Sequence, residues 1–114
     1  MGGANLELLQ GTLDVLVLKA LIFGPEHGYA VARWIRETTD GALEVEEGAL
    51  YTALHRMEKR GWLKSEWGQS ENNRRAKYYA VTEEGRKQLV AGERSWAAYA
   101  EAVFKVLRVT EGRA

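Results

Sequence analysis

The chain of 114 residues predicts a mainly α fold carrying one β-hairpin, on three observations. Apolar residues recur at helical spacing in three successive stretches between Thr12 and Arg60. The period then shortens to two in a pair of aromatic and β-branched runs that flank a polar segment. Helical patterning resumes at Thr82 and meets no strong breaker before Gly112.

The elements follow in order. Thr12 and Asp14 open a first, strongly apolar helix (Leu13, Leu16, Val17, Ala20, Leu21), which Leu6 and Leu9 extend backwards and the Gly24-Pro25 pair stops. A second helix runs from Gly28 to about Thr38, burying Val31, Ala32 and Ile35 and turning Arg33, Arg36 and Glu37 outward, until Asp40-Gly41 ends it. A short extended piece, Leu43 to Val45, leads to a third helix from about Glu47 to Arg60. Its acidic start and basic end suit the helix dipole, and Gly61 caps it. Trp62 to Trp67 and Lys77 to Thr82 form the hairpin, with a tip from Gly68 to Arg75 too long for a tight turn. Thr82 caps the final helix, Glu83 and Glu84 fill its first turn, and Gly85 and Gly92 weaken it. No internal repeat or linker divides the chain.

Composition narrows the function. There is no cysteine and there are only two histidines, so a thiolate nucleophile and a zinc finger are excluded, and no nucleophile, base and metal set converges. We expect no enzyme, no metal and no cofactor. The most apolar stretch, Leu13 to Phe23, contains Lys19 and falls short of the roughly 20 apolar residues of a membrane span. Met1 to Gln10 holds no Lys or Arg, which argues against a secretory signal and for a cytoplasmic protein. Lys+Arg and Asp+Glu are both 16, but unevenly spread: residues 1–49 carry a net −5 and residues 50–79 a net +4. The basic middle third is where an anionic partner belongs.

Three helices followed by a hairpin is the order of a winged helix-turn-helix, in which the third helix enters the DNA major groove and the wing meets the backbone. Leu50, Ala53, Leu54 and Met57 fall on one face of the third helix. Tyr51, Thr52, His55, Arg56 and Lys59 fall on the other and are the candidate DNA-reading residues. An ordinary solvated face is the alternative, but such faces mix charge signs more than this one. Arg74, Arg75 and Lys77 are the candidate phosphate contacts of the wing, against the alternative of a solvated turn. Trp67, Tyr78 and Tyr79 read as wing-to-core packing rather than as a stacking platform for single strands.

These residues also carry a resemblance. Gly28-Tyr29, Glu46 to Leu54 with Arg56, Glu58 and Gly61, Arg74 to Tyr79, and Thr82 with Gly85 are similar to the PadR family of bacterial transcriptional regulators, over about Leu9 to Leu89. The resemblance implies a winged-helix homodimer on double-stranded DNA, usually a repressor, of the subgroup with a single C-terminal dimerisation helix. Thr52 departs from the family, many of whose members have proline there.

The expected organisation is a DNA-binding domain over residues 1–82 and a dimerisation helix over residues 83–114. Leu89, Trp96, Ala100, Val103 and Leu107 form a near-heptad seam on that helix, with Tyr99 and Phe104 beside it. Folding back onto its own domain is the alternative. Trp96 is also the candidate residue for a small planar hydrophobic ligand, because some similar regulators hold such compounds between aromatic rings at the dimer interface; plain packing is the other reading. The competing function is a winged-helix module that binds protein instead of DNA, which gives no reason for a basic reading face.

Overall fold

The computed structural model describes residues 11–112. Helix α1 (Thr12–Leu21) begins after Gly11, whose φ of 86° a side chain would strain, and buries Val17, Leu18, Ala20 and Leu21. The expected extension through Leu6 and Leu9 lies outside the described residues. A two-residue strand, β1 (Glu26–His27), precedes α2 (Gly28–Thr38). His27 caps α2, its Nδ1 accepting the Ala30 N–H at 3.2 Å. Val31 and Ile35 are buried as the spacing predicts, together with Gly28 and Ala30, while Ala32 is only half-buried against the core. Asp40 and Gly41 both take positive φ, and the Gly41 N–H donates to the Arg36 carbonyl at 2.8 Å, closing the helix.

Helix α3 (Glu47–Lys59) buries Leu50, Ala53, Leu54 and Met57, and Gly61 at φ 81° turns the chain into the wing. Strands β2 (Leu63–Gln69) and β3 (Arg75–Val81) pair antiparallel from Leu63↔Val81 to Gln69↔Arg75. Pairing therefore continues through Gly68 and Ala76, and only Ser70 to Arg74 remain as the turn. The long tip expected from composition is shorter because main-chain pairing does not need apolar side chains.

β3 is the middle strand of the sheet, with β1 on its other side through Glu26↔Tyr79 and His27↔Tyr78. The extended segment expected at Leu43 to Val45 forms no strand; its two apolar side chains pack on the core from a loop. A two-residue strand has no periodicity of its own, so only its partner defines it.

Helix α4 (Glu83–Leu107) starts at Thr82, whose Oγ1 accepts the Gly85 N–H at 3.1 Å and donates to the Gly61 carbonyl at 2.6 Å. It ends at Leu107, short of the first strong breaker at Gly112. Its two internal glycines are sites of close approach. A Cβ on Gly85 would lie 2.2 Å from the Trp62 carbonyl oxygen, and one on Gly92 would lie 2.6 Å from Val15 Cγ2. Leu89 is 5% exposed and belongs to the core formed by α1, α2, α3 and the root of the wing, with Leu54, Met57, Leu63 and Tyr79. This corrects its assignment to an exposed seam: close packing at Gly85 draws the next turn of α4 onto the domain. Beyond Trp96 the helix projects from the core, and residues 101–112 are exposed.

Candidate nucleic-acid interface

The candidate reading face of α3 is formed by what its buried face leaves over. With Leu50, Ala53, Leu54 and Met57 turned inward, the helix exposes Tyr51, Thr52, His55 and Lys59. Arg56 also lies on this side, half-exposed, with its guanidinium held by the carboxylate of Asp14 on α1. Tyr51 rests its ring on the start of α2. A Cβ on Gly28 would come 2.7 Å from its hydroxyl, so the small residue there is what lets the ring approach the backbone this closely.

Between α3, the start of α2 and the wing runs an open groove of about 780 Å³. It joins Tyr51 and His55 from the helix to Arg74, Arg75 and Lys77 from the wing, and adds Tyr29 and Arg33 from α2. Arg75 lies over the Trp67 indole, 4.5 Å from its centroid, so Trp67 stays largely exposed and supports a guanidinium; it does not pack on the core. Tyr79 does pack there, fully buried. Burial pushes the Tyr79 hydroxyl's pKa above its ordinary value of 10.0, against an opposing pull from Lys77.

The wing cations are not equivalent. Arg74 and Arg75 are exposed at the tip. Lys77 stands two residues further along β3, opposite Trp67 and 3.4 Å from Glu58 on α3. A hydrogen bond from Ser65, opposed by burial and aided by Lys77 and His55, holds the Glu58 carboxyl below its ordinary pKa of 4.5. Arg33 meets Glu71 of the wing tip at 3.9 Å and lies over the Tyr29 ring.

Tyr29 and Arg33 were missed in the sequence, although their spacing of four residues puts them on one side of α2. Asp14, read as a helix-start residue, and Glu58, noted only as part of a family motif, gave no sign of their ion pairs, because each acquires its partner only through tertiary contact.

On α4, Trp96 is 44% exposed and its indole N–H donates to Thr12 Oγ1 at 3.1 Å. It borders an open hollow of about 440 Å³ with Thr12, Val15, Ser95 and Tyr99. Further along, Ala100 is half-buried and Val103, Phe104, Val106 and Leu107 are exposed. Among the described residues no group of three or more His, Asp or Glu side chains could hold a metal ion, and no helix is long and apolar enough to cross a membrane.

Three helices, a wing and a polar, cationic groove at the third helix define a winged-helix DNA-binding protein. The sequence profile of the Transcriptional regulator PadR-like family matches residues 17–91, and the chain belongs to that family, whose members are transcriptional regulators and not enzymes. A transcriptional regulator from Clostridium thermocellum is 33% identical, with a TM-score of 0.77 over 84% of this chain and 93% of that one. A PadR family transcriptional regulator from Eggerthella lenta is also 33% identical, with a TM-score of 0.75 over 89% and 86% of the two chains. A PadR family regulator from Clostridium difficile is 31% identical, with a TM-score of 0.71 over 83% and 97%.

Proposed function

We propose that this DNA-binding regulator is a homodimeric repressor that reads a pseudo-palindromic operator, one α3 in each half-site. The observation that carries the reading is the convergence of Tyr51 and His55 with Arg74 and Arg75 on one groove. Tyr51, Thr52, His55 and Arg56 approach base edges, and Lys59 approaches the backbone. Arg74 and Arg75 take phosphates whatever the sequence, and Lys77 joins them to the extent that its ion pair with Glu58 allows. Dimerisation through Trp96, Ala100, Val103 and Leu107 is supported by the apolar side chains that α4 leaves in water.

The test is a reporter driven by the DNA upstream of the gene. Transcription should fall when the protein is present, and a panel of operator variants should identify the bases read. Arg56→Ala should then lose about 1–3 kcal/mol of discrimination at its own base pair. An unchanged preference order would remove Arg56 from base reading.

The hollow beside Trp96 supports a finer proposal, that a planar hydrophobic compound binds there and releases DNA. A variant retaining Trp96 as its only tryptophan should show quenching by such compounds and loss of operator binding together. Absence of quenching across a broad panel would leave Trp96 a packing residue.

A further inference from the structure

Three of the cations on the DNA side carry a carboxylate from their own chain: Arg56 with Asp14, Lys77 with Glu58 and, more loosely at 3.9 Å, Arg33 of α2 with Glu71 of the wing tip. The pairs differ in what they join. Asp14 and Arg56 link two helices of the same core, whereas Glu58 links the last turns of α3 to both strands of the wing. Its Oε2 accepts from Ser65 Oγ of β2 at 2.5 Å, and its Oε1 lies 3.4 Å from Lys77 Nζ of β3.

The strand register explains how one carboxylate reaches both. Ser65 is paired with Tyr79 and Lys77 with Trp67, so Ser65 and Lys77 share the face of the hairpin that carries buried Tyr79. The Lys77 ammonium also lies 5.6 Å from the Tyr79 ring centroid. The Glu58 and Lys77 side chains are each 31% exposed, against 47% and 48% for Lys19 and Glu93, so water screens this pair less.

The geometry points to Glu58 as a positioning residue for DNA binding: it sets the wing against the recognition helix and withholds Lys77 from phosphate. The inference rests on the DNA-binding reading of α3 and the wing. Beyond Leu63 and Tyr79 no wing side chain is fully buried, so apolar packing alone does not aim the tip. A carboxylate bonded to both strands supplies that aim. An ammonium held by a carboxylate neutralises no phosphate, so it releases none of the counterions condensed on the duplex and adds little to the salt-sensitive affinity that all duplexes share. Glu58 therefore suppresses sequence-independent binding while keeping the wing in register with α3.

The experiment measures binding of the full chain to a short random-sequence duplex across a salt series, for wild type, Glu58→Gln, Lys77→Met and the double variant. Glu58→Gln keeps a hydrogen-bond acceptor for Ser65 and removes the charge. It should steepen the slope of log affinity against log salt by about one, an extra loss of about three- to fourfold between 50 and 200 mM salt. Lys77→Met should abolish that gain in the Glu58→Gln background and change the wild-type slope by less than half as much. An equal effect of Lys77→Met in both backgrounds overturns the inference while leaving DNA binding intact. A wild-type protein that binds no duplex overturns the DNA-binding reading and this inference with it.

A second measurement needs no variant at position 58. In wild type the Lys77 ammonium resonance should stay in place when duplex is added while that of exposed Lys59 moves. Equal movement of the two would show that Glu58 does not retain Lys77.

Discussion

The two ends of the molecule handle their side chains in opposite ways. Around α3 and the wing, long polar groups are engaged: Arg56 with Asp14, Lys77 with Glu58, Arg33 with Glu71, Arg75 over Trp67. Along the distal half of α4, apolar groups are left in water, with Val106 72% and Leu107 69% exposed. Side chains held this way, Lys77 kept back by Glu58 and Arg75 presented outward on Trp67, offer a fixed pattern to a polar, charged partner, since little ordering remains to be done on binding. A helix with an uncovered apolar side is ready for another apolar surface. The contrast separates the elements proposed to meet DNA from the one through which we propose that copies of the chain meet.

Substitutions at the two ends test that separation most strongly. Leu54→Ala, in the fully buried face of α3, should cost about 2–5 kcal/mol of unfolding free energy, read from urea titration. Under the dimer proposal, Val103→Asp with Leu107→Asp should instead weaken self-association by about 3 kcal/mol or more, since each new carboxylate would be desolvated in the interface. Sedimentation would then find monomer with its helical content retained. If the double variant sediments like wild type, the distal helix is not where copies meet.

A smaller effect distinguishes the wing tip from its root. Arg74→Ala with Arg75→Ala should lower the salt slope of DNA binding by about two and weaken all sequences alike. A loss confined to particular sequences would make these arginines readers and not anchors.

The smallest effect is a pH dependence at the root. Because the folded-state pKa of Glu58 is lowered, its contribution to stability is fully present above the ordinary value of 4.5 and is lost as pH falls through the folded pKa. Glu58→Gln should therefore flatten the decline of stability below about pH 4.5 and hardly alter its slope near neutrality. Equal acid sensitivity of the two proteins would mean that the Ser65 and Lys77 contacts do not favour the charged form.

Much of this architecture is a local property of the chain. The bounds of α2 and the buried face of α3 follow from apolar spacing with Gly and Asp stops, and Thr82 announces α4 because a cap hydroxyl acts on its own next turn. The same amphipathic logic puts Tyr51, Thr52, His55 and Lys59 on the outside of α3, and a cluster of arginines in a hairpin turn is visible in one dimension. Contacts between distant segments were not legible. β1 exists because β3 passes beside it, and Gly85 and Gly92 read as weak points in a helix until the Trp62 carbonyl and Val15 are found against them. Leu89 has the spacing of a seam residue and the burial of a core residue, since periodicity reports which side of a helix is apolar and not which neighbour covers it. Asp14 and Glu58 show the same division in charge: the sequence determined that carboxylates and cations occur on these elements, and only the packing of α1 and the wing onto α3 decided which cations are held. An ion pair between remote residues depends on distances of a few ångströms that no pattern of neighbours along the chain encodes.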